Sequence, residues 1–418
     1  MDKIRKVAVV LDSSHQISRE MILGIIDWSR HHAHWDLSIV SGGPNDLRLP
    51  EMRFWHGDGI IARLPTPRIA AEIAAAQLPT VLIDPNHEYC APGSPLARFS
   101  SVACDSAAVG RLAADFYLKL GYRSFAFAAA KPELDWSIDR ARTFRAAVEA
   151  AGCVCAFLPS NRMSAEREQP RLVAWLRALP PRSAVFAAND HRARDILRAA
   201  AMGDIRIPED LAVLGVNDDA LVCETTFPRL TSIRMDAHHA GYLAAEILAH
   251  HLAHPSAARR VGLFRPVEIV ERESAGLPAS DDALVLAAFK IIHAHAASGL
   301  RVNEIAAQLH VTLRTLELHL SAAHISIKRE LARRRLASIE HMVRTTNTPL
   351  AEIARQHGYT GTAHFTTAYK KAFGTTPAVA RRASSGGQPG HVIVNLPRKA
   401  PAANPAMLRC AHSKEGVE

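Results

Sequence analysis

At 418 residues, 48% of them hydrophobic and 22% charged, the chain is long and apolar enough for two or three packed domains, which excludes a disordered or fibrous protein. Its formal net charge of +9 is unevenly placed: residues 283–382 hold 14 Lys and Arg against 5 Asp and Glu, while the first 282 residues hold 32 against 34. A basic block confined to one segment is what phosphate contacts require, and binding through it should weaken steeply with salt.

The opening stretch MDKIRKVAVVLD is basic and then apolar, but the apolar run ends at Asp12, too short for a signal peptide or a membrane span. The cysteines, Cys90, Cys104, Cys153, Cys155, Cys223 and Cys410, follow no disulfide-framework spacing, and a chain of this size needs no staples. A cytoplasmic protein without membrane attachment is expected. Cys153 and Cys155 lie in an apolar strand pattern and read as structural. His31, His32, His34, His293 and His295 have no carboxylate or Cys at metal spacing, so no metal is expected.

From Lys6 to Arg272 short apolar runs alternate with helical patterns, the signature of parallel sheets covered on both faces. Residues 6–12, 36–41, 59–64, 80–84, 101–105, 124–130, 184–190, 211–218 and 231–235 read as strands. Residues 17–31, 68–77, 105–120, 139–151, 166–178, 190–202 and 237–251 read as helices. These are too many for one doubly wound unit. The prediction is an α/β domain over 1–275 with two lobes, 1–127 with 231–258 and 128–230 with 259–275.

Ligands of such sheets bind outside the carboxyl ends of strands. Asp12, Asn189, Asp190, Asn217 and Asp218 sit at those ends, and Arg140 follows the strand at 124–130 with Trp136 just upstream. A sugar asks for this equipment: carboxylates, amides and a guanidinium match its hydroxyls, and an aromatic ring covers its apolar face. Capping of the next helix is the competing use of each Asp or Asn taken singly; convergence of three strand ends favours a site. No G-x-S-x-G elbow or G-x-G-x-x-G turn occurs, which argues against the common hydrolase and dinucleotide-enzyme readings and leaves a sugar-modifying enzyme only as a rival.

After a linker at 276–282, residues 283–382 carry two copies of one plan. In the second, Leu350, Ile353 and Ala354 form an apolar stripe, Gly358 and Tyr359 break it, and Phe365, Tyr369 and Ala372 resume it. Ile305 and Ala306 precede Ile353 and Ala354 by 48 positions, followed by a turn at His310 and Val311, the N-cap Thr312, and inward Leu316 and Leu320. A single helix over 326–346 joins the copies, with Ala332, Leu336, Ile339 and Val343 buried and Arg333, Arg334 and Arg335 largely off that side. Its length of about 30 Å approaches the separation of successive major-groove faces, so an all-α tandem helix-turn-helix domain reading promoter DNA is expected. The DNA-facing candidates are Thr312, Arg314, Glu317 and His319 in the first unit, and Thr360, Thr362, Thr366, Thr367, Lys370 and Lys371 in the second. Residues 383–418, with SSGGQPG and PAANPA, read as a disordered tail.

The stretch IARQHGYTGTAHFTTAYKKAFGTTP resembles the DNA-binding domain of AraC/XylS regulators over residues 283–382. Many members have Arg where this chain has Leu318 and Thr367, and Phe where it has Leu320; the resemblance therefore implies base reading through Arg314, Glu317, His319 and Thr362, or through DNA shape. The stretches AANDHRARDIL, IRIPEDLAVLGVNDD and TSIRMDAHHAGYLAAEIL resemble the effector domain of LacI/GalR-type regulators. That resemblance implies sugar contacts from Arg140, from Asn189 or Asp190, and from Asn217, which stands where Asp is usual. The two resemblances together imply a homodimeric activator of sugar-catabolic genes. Its expected partners are DNA and RNA polymerase, and its expected effector is D-xylose or else another pentose, a hexose or a polyol, with no cofactor.

Overall fold

The computed structural model describes residues 4–40, 49, 55–64, 66–130, 134–280, 282–295, 300–323, 325–385 and 393–395. The first sheet is built from β1 (Lys6–Val10), β2 (Asp36–Ile39), β3 (Gly59–Arg63), β4 (Thr80–Ile83), β5 (Ser100–Cys104), β11 (Arg260–Phe264) and β13 (Ile393–Asn395), in the order β13-β11-β5-β4-β3-β1-β2. The second contains β6 (Ser124–Ala128), β7 (Val154–Leu158), β8 (Ser183–Ala187), β9 (Leu211–Val216), β10 (Thr231–Met235) and β12 (Pro266–Val270), in the order β12-β10-β9-β8-β6-β7. Strands such as β1, β4 and β8 are continuous apolar runs because helices cover both faces, and their side chains are buried throughout the run or nearly so. The antiparallel pairs lie at the edges, β12 on β10 and β13 on β11.

The covering helices are α1 (Gln16–His32), α2 (Pro67–Ala76), α3 (His87–Cys90), α4 (Ser106–Lys119), α5 (Asp135–Ala150), α6 (Ala165–Ala178), α7 (Asp190–Met202), α8 (Ala220–Cys223) and α9 (Ala237–Ala253). Helices α1 and α9 cross at van der Waals contact of their backbones. A Cβ at Gly241 would lie 1.8 Å from the Met21 carbonyl oxygen, so glycine is required there by space.

Two lobes form as the strand count predicts, but their boundaries move. Ser124–Ala128 and Thr231–Met235 belong to the second sheet, and Arg260–Phe264 to the first. The missed strands β11 and β12 are short, partly exposed elements separated only by Arg265, β12 opening on Pro266 at a sheet edge, and both alternate weakly. Helix α5 starts at Asp135 rather than 139, since Leu134 at its N-cap supplies no side-chain cap that a sequence signals.

Residues 276–282 are not a free linker. Ser274 through Pro278 are buried, the Tyr122 hydroxyl donates to the Leu277 carbonyl (3.1 Å), and the Ala279 amide donates to the Leu120 carbonyl (2.9 Å). Leu277 itself belongs to the core of the next domain.

That domain comprises α10 (Ala283–His295), α11 (Val302–Gln308), α12 (Leu313–Ala322), α13 (Ile327–Thr345), α14 (Leu350–Gln356), α15 (Thr362–Phe373) and α16 (Pro377–Ser385). It has two cores, one around Phe289, Ile305, Leu316 and Leu331 and one around Ile339, Ile353, Phe365 and Tyr369. Helix α13, roughly 28 Å long at 1.5 Å per residue, contributes to both. The inner stripe differs in detail from expectation. Ala332 and Ala372 are exposed, whereas Leu331 is buried and Phe373 packs against the core instead. Arg334 is buried too, because α13 docks on the effector domain: its guanidinium pairs with Glu271 (2.8 Å) and Glu330 (2.6 Å) and donates to the Gly276 carbonyl (3.1 Å). Arg333 pairs with the same two carboxylates.

The tail begins later than expected and is not wholly irregular, since α16 extends to Ser385 and Ile393–Asn395 adds an antiparallel strand to β11. This short strand satisfies an otherwise open sheet edge. Residues 396–418, with Cys410, lie outside the described residues.

In the first helix-turn-helix unit Thr312 caps α12, its Oγ1 accepting from the Thr315 amide at 3.1 Å. Thr312→Ala is expected to cost about 1 kcal/mol of domain stability, read as a lower denaturant midpoint.

Candidate effector and DNA-binding sites

Strand ends of the second lobe bring the amides together. The parallel register of β8 and β9 pairs Phe186 with Leu214, and Asn189 and Asn217 follow the carboxyl ends of these neighbouring strands. Asn189 Oδ1 caps α7 through the Arg192 amide (2.9 Å). Asn217 has φ +110° and a buried Oδ1 without a protein partner.

Arg140 lies one turn after Trp136 on α5, 3% exposed, with the Trp136 ring 4.5 Å from its Cζ. Nη1 donates to the Ala188 carbonyl (2.6 Å), next to Asn189, and Nη2 to Cys104 Sγ (3.4 Å) at the end of β5 in the other lobe. Nε has no protein partner, and among the described residues no carboxylate lies within ion-pair distance. A buried guanidinium so sparsely satisfied is costly unless a polar ligand takes its remaining donors. Burial raises the Cys104 thiol despite the neighbouring Arg140 charge, so it stands there as a neutral acceptor.

In the first lobe Asp12 is 6% exposed. Oδ1 accepts from the Ser14 amide (2.9 Å) and hydroxyl (2.6 Å), and Oδ2 lies 2.6 Å from His15 Nδ1. Burial alone would raise this carboxyl, but the Ser14 and His15 interactions outweigh it and hold it below its usual range. Across the cleft His15 meets His191 edge-on at 4.7 Å. Further lobe-to-lobe contacts run from the Gln16 amide to Asp219 (3.2 Å) and from the Ala220 amide to the Gln16 side chain (2.7 Å).

Two predicted sugar residues are already engaged. Asp190 Oδ1 accepts from Ser232 Oγ (2.5 Å) and Oδ2 from the Asp219 amide (2.8 Å), tying β10 and α8 to α7. Burial pushes it up to about 7 against those hydrogen bonds. Asp218 is gripped by Arg234 (2.6 Å) and Arg272 (2.8 Å). Both carboxylates hold neighbouring segments together, a role the sequence pattern does not distinguish from ligand contact. Sequence reasoning missed His15, His191 and Cys104, which only the closure of two lobes places at the cleft.

Burial, then His15 and Arg194, lowers His191 to about 4. A folded-state value below the ordinary 6.5 means stability that is present above pH 6.5 and lost as pH falls towards 4. Asp190, raised, acts with the opposite sign over roughly the same range. His191→Gln is therefore expected to flatten the acid limb of the melting temperature between pH 6.5 and 4.5, compared with the parent chain at each pH.

On the helix-turn-helix units, Thr312, Arg314, Glu317, His319, Thr360, Thr362, Thr367, Lys370 and Lys371 are exposed and Thr366 is half-buried. Thr367 Oγ1 donates back to the Ala363 carbonyl (3.0 Å), and His319 pairs with Asp282 (2.5 Å). Leu318, 59% exposed, and His364, on the first turn of α15, are exposed on the same helices and stand outside the candidate set.

Residues 114–275 match the family described as "Periplasmic binding protein-like domain", and residues 305–383 match "Helix-turn-helix domain". The chain is 26% identical to the xylose operon regulatory protein of Escherichia coli K12, over 92% of this chain and 98% of that protein. It is 23% identical to the protein of that name from Haemophilus influenzae, over 89% and 97%. The solved structure of the xylose-binding transcription activator xylR superposes with a TM-score of 0.60 at 24% identity, covering 91% of this chain and 99% of that one. Among the described residues no helix is long and apolar enough to cross a membrane. The chain is a transcription regulator that is similar over most of its length to the xylose operon regulatory proteins, its periplasmic binding protein-like domain preceding its helix-turn-helix domain.

Proposed function

We propose that this sugar-responsive regulator, cytoplasmic and homodimeric, closes its two lobes on D-xylose and thereby activates sugar-catabolic promoters through RNA polymerase. The observation that carries the reading is Arg140, a buried guanidinium under the Trp136 ring with donors to spare, held on the Ala188 carbonyl next to Asn189, with Asn217 at the end of the neighbouring strand. Arg140 and Asn217 contact hydroxyls, Trp136 covers the apolar face of the ring, and Asp12 contributes from the facing lobe; Asn189 offers its amide nitrogen. Asp190 and Asp218 position these groups. Asn217 donates as well as accepts, so it selects a different hydroxyl pattern from a carboxylate at the same place.

In the DNA-binding domain the recognition helices are α12 and α15, with Lys370 and Lys371 on phosphates and Arg314, Glu317, His319 and Thr362 at base edges. Thr312, Thr360, Thr366 and Thr367 lie at the helix starts and along the flank of α15. Leu318 suits a thymine methyl.

The test is melting temperature against D-xylose, L-arabinose, D-ribose, hexoses and polyols, since a ligand that binds the folded state alone must raise it. A concentration-dependent rise with D-xylose is expected. A rise with another sugar instead reassigns the effector, and no rise with any of them removes the sugar reading.

A further inference from the structure

The chain crosses between lobes at Asp105, just before α4, at 235–236 and at Arg265, and the three crossings form one hinge, clasped by the Asp105 amide donating to the Phe264 carbonyl (2.8 Å) and the Asp236 amide to the Arg265 carbonyl (3.0 Å). Helix α4 already belongs to the second lobe, where the Tyr117 hydroxyl donates to the Val185 carbonyl (3.1 Å). The segment entering the DNA-binding domain is fastened to that lobe, at Leu120 and Tyr122.

Another contact joins the hinge to α13. Arg234 stands where the β10–β12 register shifts, one residue before β10 ends. Its Nη1 donates to Glu268 (2.7 Å), its Nε and Nη2 to Asp218 Oδ2 (2.9 and 2.6 Å), and Nη2 also to His341 Nδ1 (3.0 Å). A guanidinium only donates, so His341 Nδ1 accepts and the imidazole is neutral with its proton on Nε2. Burial and the Arg234 charge both lower His341, in keeping with that state. Asp218 follows Asn217 in a turn where both residues have positive φ, +54° and +110°. Such a backbone persists only where its surroundings hold it. A cavity of about 480 Å³ opens beside it, bounded by Gln16 and Glu20 of the first lobe, Asn217 and Arg272 of the second, and His341 of α13.

We propose that the Arg234–His341 hydrogen bond transmits lobe closure to the DNA-binding domain, an inference that rests on Asn217 belonging to the sugar site. Sugar on Asn217 draws the Asn217–Asp218 turn, Asp218 carries Arg234 with it, and Arg234 moves α13, which belongs to both helix-turn-helix cores. His341 is a positioning residue and touches neither sugar nor DNA.

The test uses the full chain as parent, His341→Ala and His341→Gln, with D-xylose and a duplex selected from a random library by the parent protein. Sugar affinity by calorimetry is expected to stay within about 3-fold in both variants. The sugar-dependent change in DNA affinity, on the order of 10-fold in the parent, is expected to fall below about 2-fold in His341→Ala and to recover in His341→Gln, whose amide oxygen can accept from Arg234. A parental ratio in His341→Ala overturns the proposal, as does a lost ratio in both variants, because then the acceptor is not what matters. If the parent binds no D-xylose, the sugar reading fails first and the relay with it, a result distinct from a parent that responds and a variant that responds equally.

Discussion

Arg140→Ala should weaken sugar affinity roughly 100-fold or more while leaving sugar-free DNA affinity within about 2-fold. Removing one partner of a buried charge-assisted contact costs about 2–5 kcal/mol, and about 1.4 kcal/mol is a factor of ten. The protein itself loses little, since the guanidinium makes one short backbone hydrogen bond, to Ala188, and one long contact to Cys104. Calorimetry and a gel-shift titration on the same preparation separate the two effects. Unchanged sugar affinity would remove Arg140 from the site, and a collapse of DNA binding would show that its role is in folding.

Glu168→Ala is expected to destabilise the second lobe by about 3–5 kcal/mol, the usual cost of leaving one member of a buried pair alone. Arg192 and Glu168 are 2% and 0% exposed and share two hydrogen bonds of 2.8 and 2.9 Å. In a domain of this size the melting temperature should drop by roughly 10 °C. A double change to Glu168→Leu and Arg192→Met should recover most of it, because apolar residues of similar volume carry no stranded charge. A thermal scan of the three proteins decides between a pair that holds the lobe and one that is incidental.

The architecture was legible because its signals are local. Fully apolar strands such as KVAVV and amphipathic helices between them announce a parallel sheet, and the repeat of Ile305 and Ala306 at Ile353 and Ala354 announces a duplicated helical unit. Even the turn repeats: His310 takes φ +54° where Gly358, 48 positions on, takes +75°. What was not legible depends on partners distant in the chain. Arg334 looks like one of three solvated arginines until Glu271 is brought to it, and Asp190 looks like a strand-end ligand until Ser232 occupies it. The lobe boundaries failed for a related reason. Nothing within β6 or β10 records which sheet it joins; that choice is made by which neighbouring strand pairs with it.

The buried stretch from Ser274 to Pro278 bears on how such a protein arises and changes. Domains strung on a flexible tether can be exchanged by recombination at almost any point between them. Here Ala275 packs in the effector core and Leu277 in the next one, while Arg334 reaches back to the Gly276 carbonyl. A crossover anywhere in this stretch would leave one parent's key without the other's lock. The two halves are therefore inherited as a matched pair, and a chimera that keeps the boundary at 283 must also carry over Glu271, Leu120 and Tyr122 to remain whole.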